Sequence, residues 1–137
     1  GCLGIDTTGE ALSVAFCENG EVMGEEFYQG ELPHSTKVLA MLDALFDSLN
    51  IKREAVSCLA VTAGPGRYTA LRVGMATAKG IAFALNIPMV RVSALKALAC
   101  SSLPCRGPVV TVLDARRHLV YIARFLTDGD TLERETE

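Results

Sequence analysis

Apolar residues alternate with polar ones at the start of the chain and then fall at helical spacing, and the change of period marks out the elements. Leu3-Gly4-Ile5 predicts a short buried strand ending at Asp6-Thr7-Thr8-Gly9, and a second strand covers 11–17. Asn19-Gly20 supplies the left-handed backbone of a tight hairpin and leads into a third strand over 22–29. Pro33-His34-Ser35 opens a helix over 36–50, with Ser35 as its N-cap and Val38, Leu39, Leu42, Leu45, Phe46 and Leu49 at helical spacing. Residues 56–62 are continuously apolar, as in a strand covered on both faces, and run into Gly64-Pro65-Gly66. A second helix follows over 68–85 and is stopped by Asn86-Ile87-Pro88. A fifth strand over 89–92 and a third helix over 94–101 precede a linker, Leu103-Pro104-Cys105-Arg106-Gly107-Pro108.

The pattern then restarts. Val109-Val110-Thr111-Val112-Leu113-Asp114 matches the first strand, with Asp114 in the place of Asp6. Val120, Ile122 and Ala123 echo Leu12, Val14 and Ala15, and Asp128-Gly129 echoes Asn19-Gly20. The expected organisation is therefore a complete α/β lobe over 1–105, ordered βββαβαβα with a mixed sheet flanked by helices, and the truncated start of a second lobe over 106–137. The polar run Glu133-Arg134-Glu135-Thr136-Glu137 reads as a cut or disordered edge. Three strands, a helix, a strand, a helix and a strand, duplicated, resembles the plan of actin-like ATPases and sugar kinases, whose lobes are ribonuclease H-like.

Composition narrows the chemistry. With 137 residues, half of them hydrophobic and 21% charged, the chain has the make-up of a soluble globular protein with one good core. A net charge of −3 lacks the basic face that releases counterions from a phosphate backbone, so RNA contact is expected only together with a partner. No apolar run is long enough to span a bilayer and no signal peptide is visible, which reads as cytoplasmic. The cysteines, Cys2, Cys17, Cys58, Cys100 and Cys105, read as buried reduced thiols. Cys100 and Cys105 are too loosely spaced for a zinc knuckle, and with His34 and His118 as the only histidines a His-based metal site is hard to build.

Two segments have chemistry to offer. Gly64, Pro65 and Gly66 let backbone amides approach an anion at a helix N-terminus, and Asp6, Thr7 and Thr8 suit a turn that meets magnesium and phosphate. Both are candidates for nucleotide or phosphate contact; the second turn, Asp114-Ala115-Arg116-Arg117, lacks glycine and is a poor cradle by itself. On these residues alone an actin-like ATPase or sugar-kinase-type phosphotransferase remains open. So does a ribonuclease H-type nuclease that would add Asp43 and Asp47 to Asp6.

A more specific resemblance rests on several segments in order. Ile5-Asp6-Thr7-Thr8, Pro33-His34-Ser35-Thr36, Leu42-Asp43-Ala44-Leu45 and the run from Ala63 to Gly74 are joined by Ala78-Lys79-Gly80-Ile81-Ala82, residues 88–93 and Leu113-Asp114-Ala115-Arg116. Together they resemble the TsaB (YeaZ) family, paralogues of TsaD, the glycoprotease-like enzyme that attaches threonylcarbamoyl to adenosine 37 of tRNAs reading codons that begin with A. In TsaD a His-x-x-x-His pair follows the strand after the long helix; here Ala94 and Leu98 stand at those places, and neither binds a metal. The resemblance therefore implies a non-catalytic subunit with no catalytic residues, no metal and no intrinsic cofactor, and argues against a glycoprotease-like metalloenzyme. It implies TsaD as partner, a TsaE-type ATPase reached through the complex, tRNA met only indirectly, a homodimer when alone, and an adenine nucleotide shared at the TsaD interface.

The second helix supports partnership independently. Arg72 and Lys79 are its only charges, so one face covers the sheet and the other needs a cover. Ala70, Gly74, Ala78 and Ala82 recur at every fourth position, which permits close helix approach. The expected partner surface comprises Leu39, Met41, Leu42 and Phe46 of the first helix. From the second helix it takes Tyr68, Leu71, Arg72, Gly74, Met75, Ala78 and Ala82.

Overall fold

The computed structural model describes residues 1–30 and 34–135; the side chains of His34 and Ser35 are also outside the description. Three strands open the chain, β1 (Cys2–Asp6), β2 (Leu12–Glu18) and β3 (Glu21–Tyr28), followed by α1 (His34–Leu49). A short 3-10 turn at Arg53–Ala55 leads to β4 (Cys58–Thr62), α2 (Tyr68–Leu85), β5 (Met89–Val92) and α3 (Ala94–Cys100). The last elements are β6 (Gly107–Arg116), β7 (Leu119–Thr127) and β8 (Leu132–Arg134). The bounds of α2 and β5 are those expected. Because α1 starts at His34, Ser35 lies inside its first turn rather than at its N-cap, and Pro33 lies outside the described residues. The run 133–137 is not all a loose edge: β8 reaches Arg134, held by the buried Leu132 and by an ion pair between Arg124 and Glu135, while 136–137 lie outside the described residues.

The first sheet has the order β3-β2-β1-β4-β5, antiparallel among β1, β2 and β3 and parallel from β1 through β4 to β5. Strand alternation sorts its side chains. Leu3, Ile5, Leu12, Val14, Phe16, Leu59 and Val61 form the buried face, covered by Val38, Met41, Leu42 and Leu45 of α1 and by Ala78 of α2. Each large apolar side chain so buried contributes roughly 1.5–3 kcal/mol. The other parity, Gly4, Asp6, Ser13, Ala15, Ala60 and Thr62, lines a half-open groove, so β4 is fully covered on one face only. Both long helices end in a left-handed asparagine, Asn50 at φ 50° and Asn86 at φ 52°. The amides of Ile51 and Ile87 then turn back to the carbonyls of Phe46 and Ala82, which closes each helix.

The second sheet, ordered β6-β7-β8, packs Ala123, Phe125 and Leu132 against Leu95 and Ala99 of α3. Its first bend repeats a device of the first lobe: Asp114 Oδ1 accepts the Arg116 amide at 2.7 Å as Asp6 Oδ1 accepts the Thr8 amide at 2.8 Å. This bend is tighter than the one after β1, with Arg116 pairing Leu119 and with Arg116, Arg117 and His118 all left-handed. The cysteines are free but not buried: Cys2, Cys17 and Cys58 are half-buried, and Cys100 and Cys105 are exposed. The expectation of buried thiols fails because three lie on the half-open face of the sheet and two at the end of α3 and the loop after it.

Candidate functional site

Two turns meet at the end of the first sheet, the one after β1 and the one between β4 and α2. Asp6 is their clamp. Its Oδ1 accepts the Thr8 amide and the Thr8 hydroxyl, each at 2.8 Å, and the Thr62 hydroxyl of β4 at 2.7 Å. Thr7 is fully buried and donates its hydroxyl to the Ala70 carbonyl of α2 at 2.7 Å, while the Arg67 amide donates to the Thr8 carbonyl at 3.1 Å. Gly64 takes φ +104°, a conformation that favours glycine, and its carbonyl accepts the Ala94 amide that opens α3. A Cβ on Gly66 would stand 2.6 Å from the Thr8 carbonyl oxygen, so this glycine allows turn to press on turn.

These contacts engage part of the segment expected to meet a phosphate. The hydroxyls of Thr7 and Thr8, the amides of Thr8 and Arg67 and the close face of Gly66 are all spent inside the chain. Bonded in this way, they hold β1, β4 and α2 in place. Asp6→Ala should accordingly behave as a stability variant, losing about 2–3 kcal/mol because one carboxylate oxygen serves three donors. Urea unfolding would show it, with Asp6→Asn, which keeps one acceptor oxygen, losing less; an unchanged midpoint for Asp6→Ala would refute the clamp.

The nuclease arrangement is not assembled. Asp43 lies exposed on α1 and pairs with Arg53 at 2.8 Å, whereas Asp6 belongs to the opposite side of the sheet. Among the described residues no group of three or more His, Cys, Asp or Glu side chains could hold a metal ion. Ala94 is buried at the start of α3 and Leu98, one turn on, faces solvent. Asp6 and Thr62 line a groove of about 260 Å³ that continues over Gly4, Ser13, Ala15 and Ala60 to Val92 and Ala97.

The expected partner residues divide by face. Leu39, Tyr68 and Arg72 are exposed, with the Arg72 guanidinium 5.5 Å from the centre of the Tyr68 ring; Phe46, Leu71 and Met75 are half-buried. Met41, Leu42, Gly74, Ala78 and Ala82 are buried within the chain and are corrected to core positions. The small-residue stripe of α2 approaches the chain's own sheet and turn, since a Cβ on Gly74 would stand 2.3 Å from Thr7 Oγ1. Sequence reasoning missed Phe83, 89% exposed, and Ala76 beside it on the same outward face with Tyr68 and Arg72. The helical interval from Tyr68 through Arg72 and Ala76 would have found them once Gly74 was placed inward.

A family model described as TsaD, tRNA N6-adenosine threonylcarbamoyltransferase, matches residues 29–137. Over 132 residues the chain is 30% identical to the tRNA threonylcarbamoyladenosine biosynthesis protein TsaB of Bacillus subtilis, covering 96% of this chain and 58% of that protein. The chain belongs to the TsaB (YeaZ) family. It is also 32% identical over 128 residues to TsaB of Escherichia coli, covering 92% of this chain and 55% of that protein. The solved structure of YeaZ from Pseudomonas aeruginosa superposes with a TM-score of 0.90 at 28% identity, over 99% of this chain and 64% of that one. The fold is thus the TsaB version of the actin-like lobe, and the chain spans little more than half the length of the curated TsaB relatives it matches.

Proposed function

We propose that this chain acts as a non-catalytic subunit supporting a TsaD-type enzyme in forming N6-threonylcarbamoyladenosine at adenosine 37 of tRNAs that read codons beginning with A. The observation that carries the reading is membership of the TsaB family combined with hydrocarbon side chains, Ala94 and Leu98, at the two positions where TsaD resemblance requires imidazoles. Two further features support it. The outward face of α2, with Tyr68, Arg72, Ala76 and Phe83, and the exposed Leu39 of α1 leave large apolar area uncovered. The turns around Asp6 and Gly66 are internally bonded, so an adenine nucleotide in the assembly would be held chiefly by the partner.

In this reading the exposed helical face pairs with TsaD, or with a second copy when TsaD is absent; a TsaE-type ATPase and tRNA are reached through the complex. The net charge of −3 supports an indirect tRNA role. Among the described residues no helix is long and apolar enough to cross a membrane. Light scattering on the chain alone and mixed with a TsaD-type enzyme from the same source tests the proposal. A homodimer that converts to a heterodimer is expected; a monomer whose mass ignores the enzyme would overturn the subunit role.

A further inference from the structure

The half-open face of the first sheet carries a row of thiols that none of the contacts above uses. Cys2 on β1 is the antiparallel partner of Cys17 on β2 and the parallel partner of Cys58 on β4. All three are reduced and half-buried, and Cys2 shares the strand parity of Gly4 and Asp6, so the row continues the groove floor at the end away from Asp6. Adjacent strands lie about 4.8 Å apart with side chains roughly perpendicular to the sheet, so sulfurs on neighbouring strands can reach one shared atom. Cys17 and Cys58, two strands apart, stand on the order of 10 Å from each other. The row therefore offers two sulfurs at a time, in keeping with the lack of any converging group of three or more ligands among the described residues. Cys58 is the stronger neighbour. Burial pushes the Cys2 thiol up first, then the charge of Cys58 and a hydrogen bond with it, and only then the charge of Cys17.

We propose that Cys2 and Cys58 form a two-sulfur binding site for a soft monovalent cation of the Cu(I) class. Thiolates select soft cations, and zinc or iron–sulfur sites would require four ligands that this face does not assemble. On binding, two S–H bonds break, two protons pass to solvent and two sulfur–metal bonds form, with no electron transferred. The cation also relieves the repulsion that two neighbouring thiolates would otherwise suffer.

Anaerobic titration with Cu(I) against a chromophoric chelator tests the site. The chain should carry Cys100→Ser and Cys105→Ser, because those exposed thiols would compete. One bound equivalent is expected, lost in Cys2→Ser and in Cys58→Ser and retained in Cys17→Ser. Where serine disturbs the half-buried face, Cys2→Ala and Cys58→Ala replace it. A second readout needs no change on the sheet: bound Cu(I) should shield Cys2 and Cys58, but not Cys17, from alkylation. The absence of a bound equivalent overturns the proposal, as does its survival in either Cys2 or Cys58 variant or its loss in Cys17→Ser.

Discussion

Gly74→Arg is expected to yield no folded chain, and Gly74→Ala to be less stable than the parent by about 2 kcal/mol or more. Helix propensity alone predicts the opposite sign, since replacing a mid-helix glycine by alanine gains up to about 1 kcal/mol. Packing decides. A Cβ at position 74 would stand 2.3 Å from Thr7 Oγ1, 3.0 Å from Thr7 Cγ2 and 3.2 Å from Thr7 Cβ. Thr7 cannot yield cheaply, because it is fully buried and its hydroxyl donates to the Ala70 carbonyl at 2.7 Å. Moving it strands a buried donor and separates α2 from the turn after β1. The Thr7→Ala/Gly74→Ala pair provides the internal check: truncating Thr7 removes the two nearest clashing atoms, so the double variant should recover part of the loss. Chemical denaturation of the four chains measures the coupling, and a Gly74→Ala variant at least as stable as the parent would show that the contact is not tight.

Gly74 also shows where sequence reading runs out. The order of strands and helices through β5 was legible because the apolar period changes sharply, and because Asn19-Gly20 and Asn86-Ile87-Pro88 have definite conformational meaning. The inward face of α2 was not legible. Nearly every position from Tyr68 to Leu85 is apolar or small, so periodicity cannot orient the helix. A stripe of small residues announces close approach without saying to what, and here the neighbours include Thr7 and the chain's own core. Asp6 is a similar case. Its type suits a metal or phosphate turn, but its actual work depends on Thr62, which is distant in sequence and meets it only because β4 pairs beside β1. The thiol row likewise exists only in the register of three strands. What β8 adds was hidden by its charge, since only the buried Leu132 anchors an otherwise polar segment.

Phe83→Asp should weaken self-association by about 30-fold or more while leaving the fold intact, if the outward face of α2 is the pairing surface. The magnitude is that of one apolar anchor at an interface centre, roughly 2 kcal/mol, with tenfold in Kd for each 1.4 kcal/mol. The fold is spared because Phe83 is 89% exposed, in contrast to Ala78, fully buried about 1.4 turns earlier on the same helix. Ala76→Arg, on the same outward face, adds bulk and charge near the middle of the helix and should act in the same direction. Ala78→Arg should instead unfold the chain, since it would drive a guanidinium into the layer between α2 and the sheet. Light scattering across a dilution series reads the association, and far-UV circular dichroism separates lost pairing from lost structure. Dimers that persist in both Phe83→Asp and Ala76→Arg would move the pairing surface off α2 altogether. Loss of the dimer with retained ellipticity would establish that one helix divides its work by face, with small residues inward to set its distance from the sheet and apolar side chains outward to meet a partner.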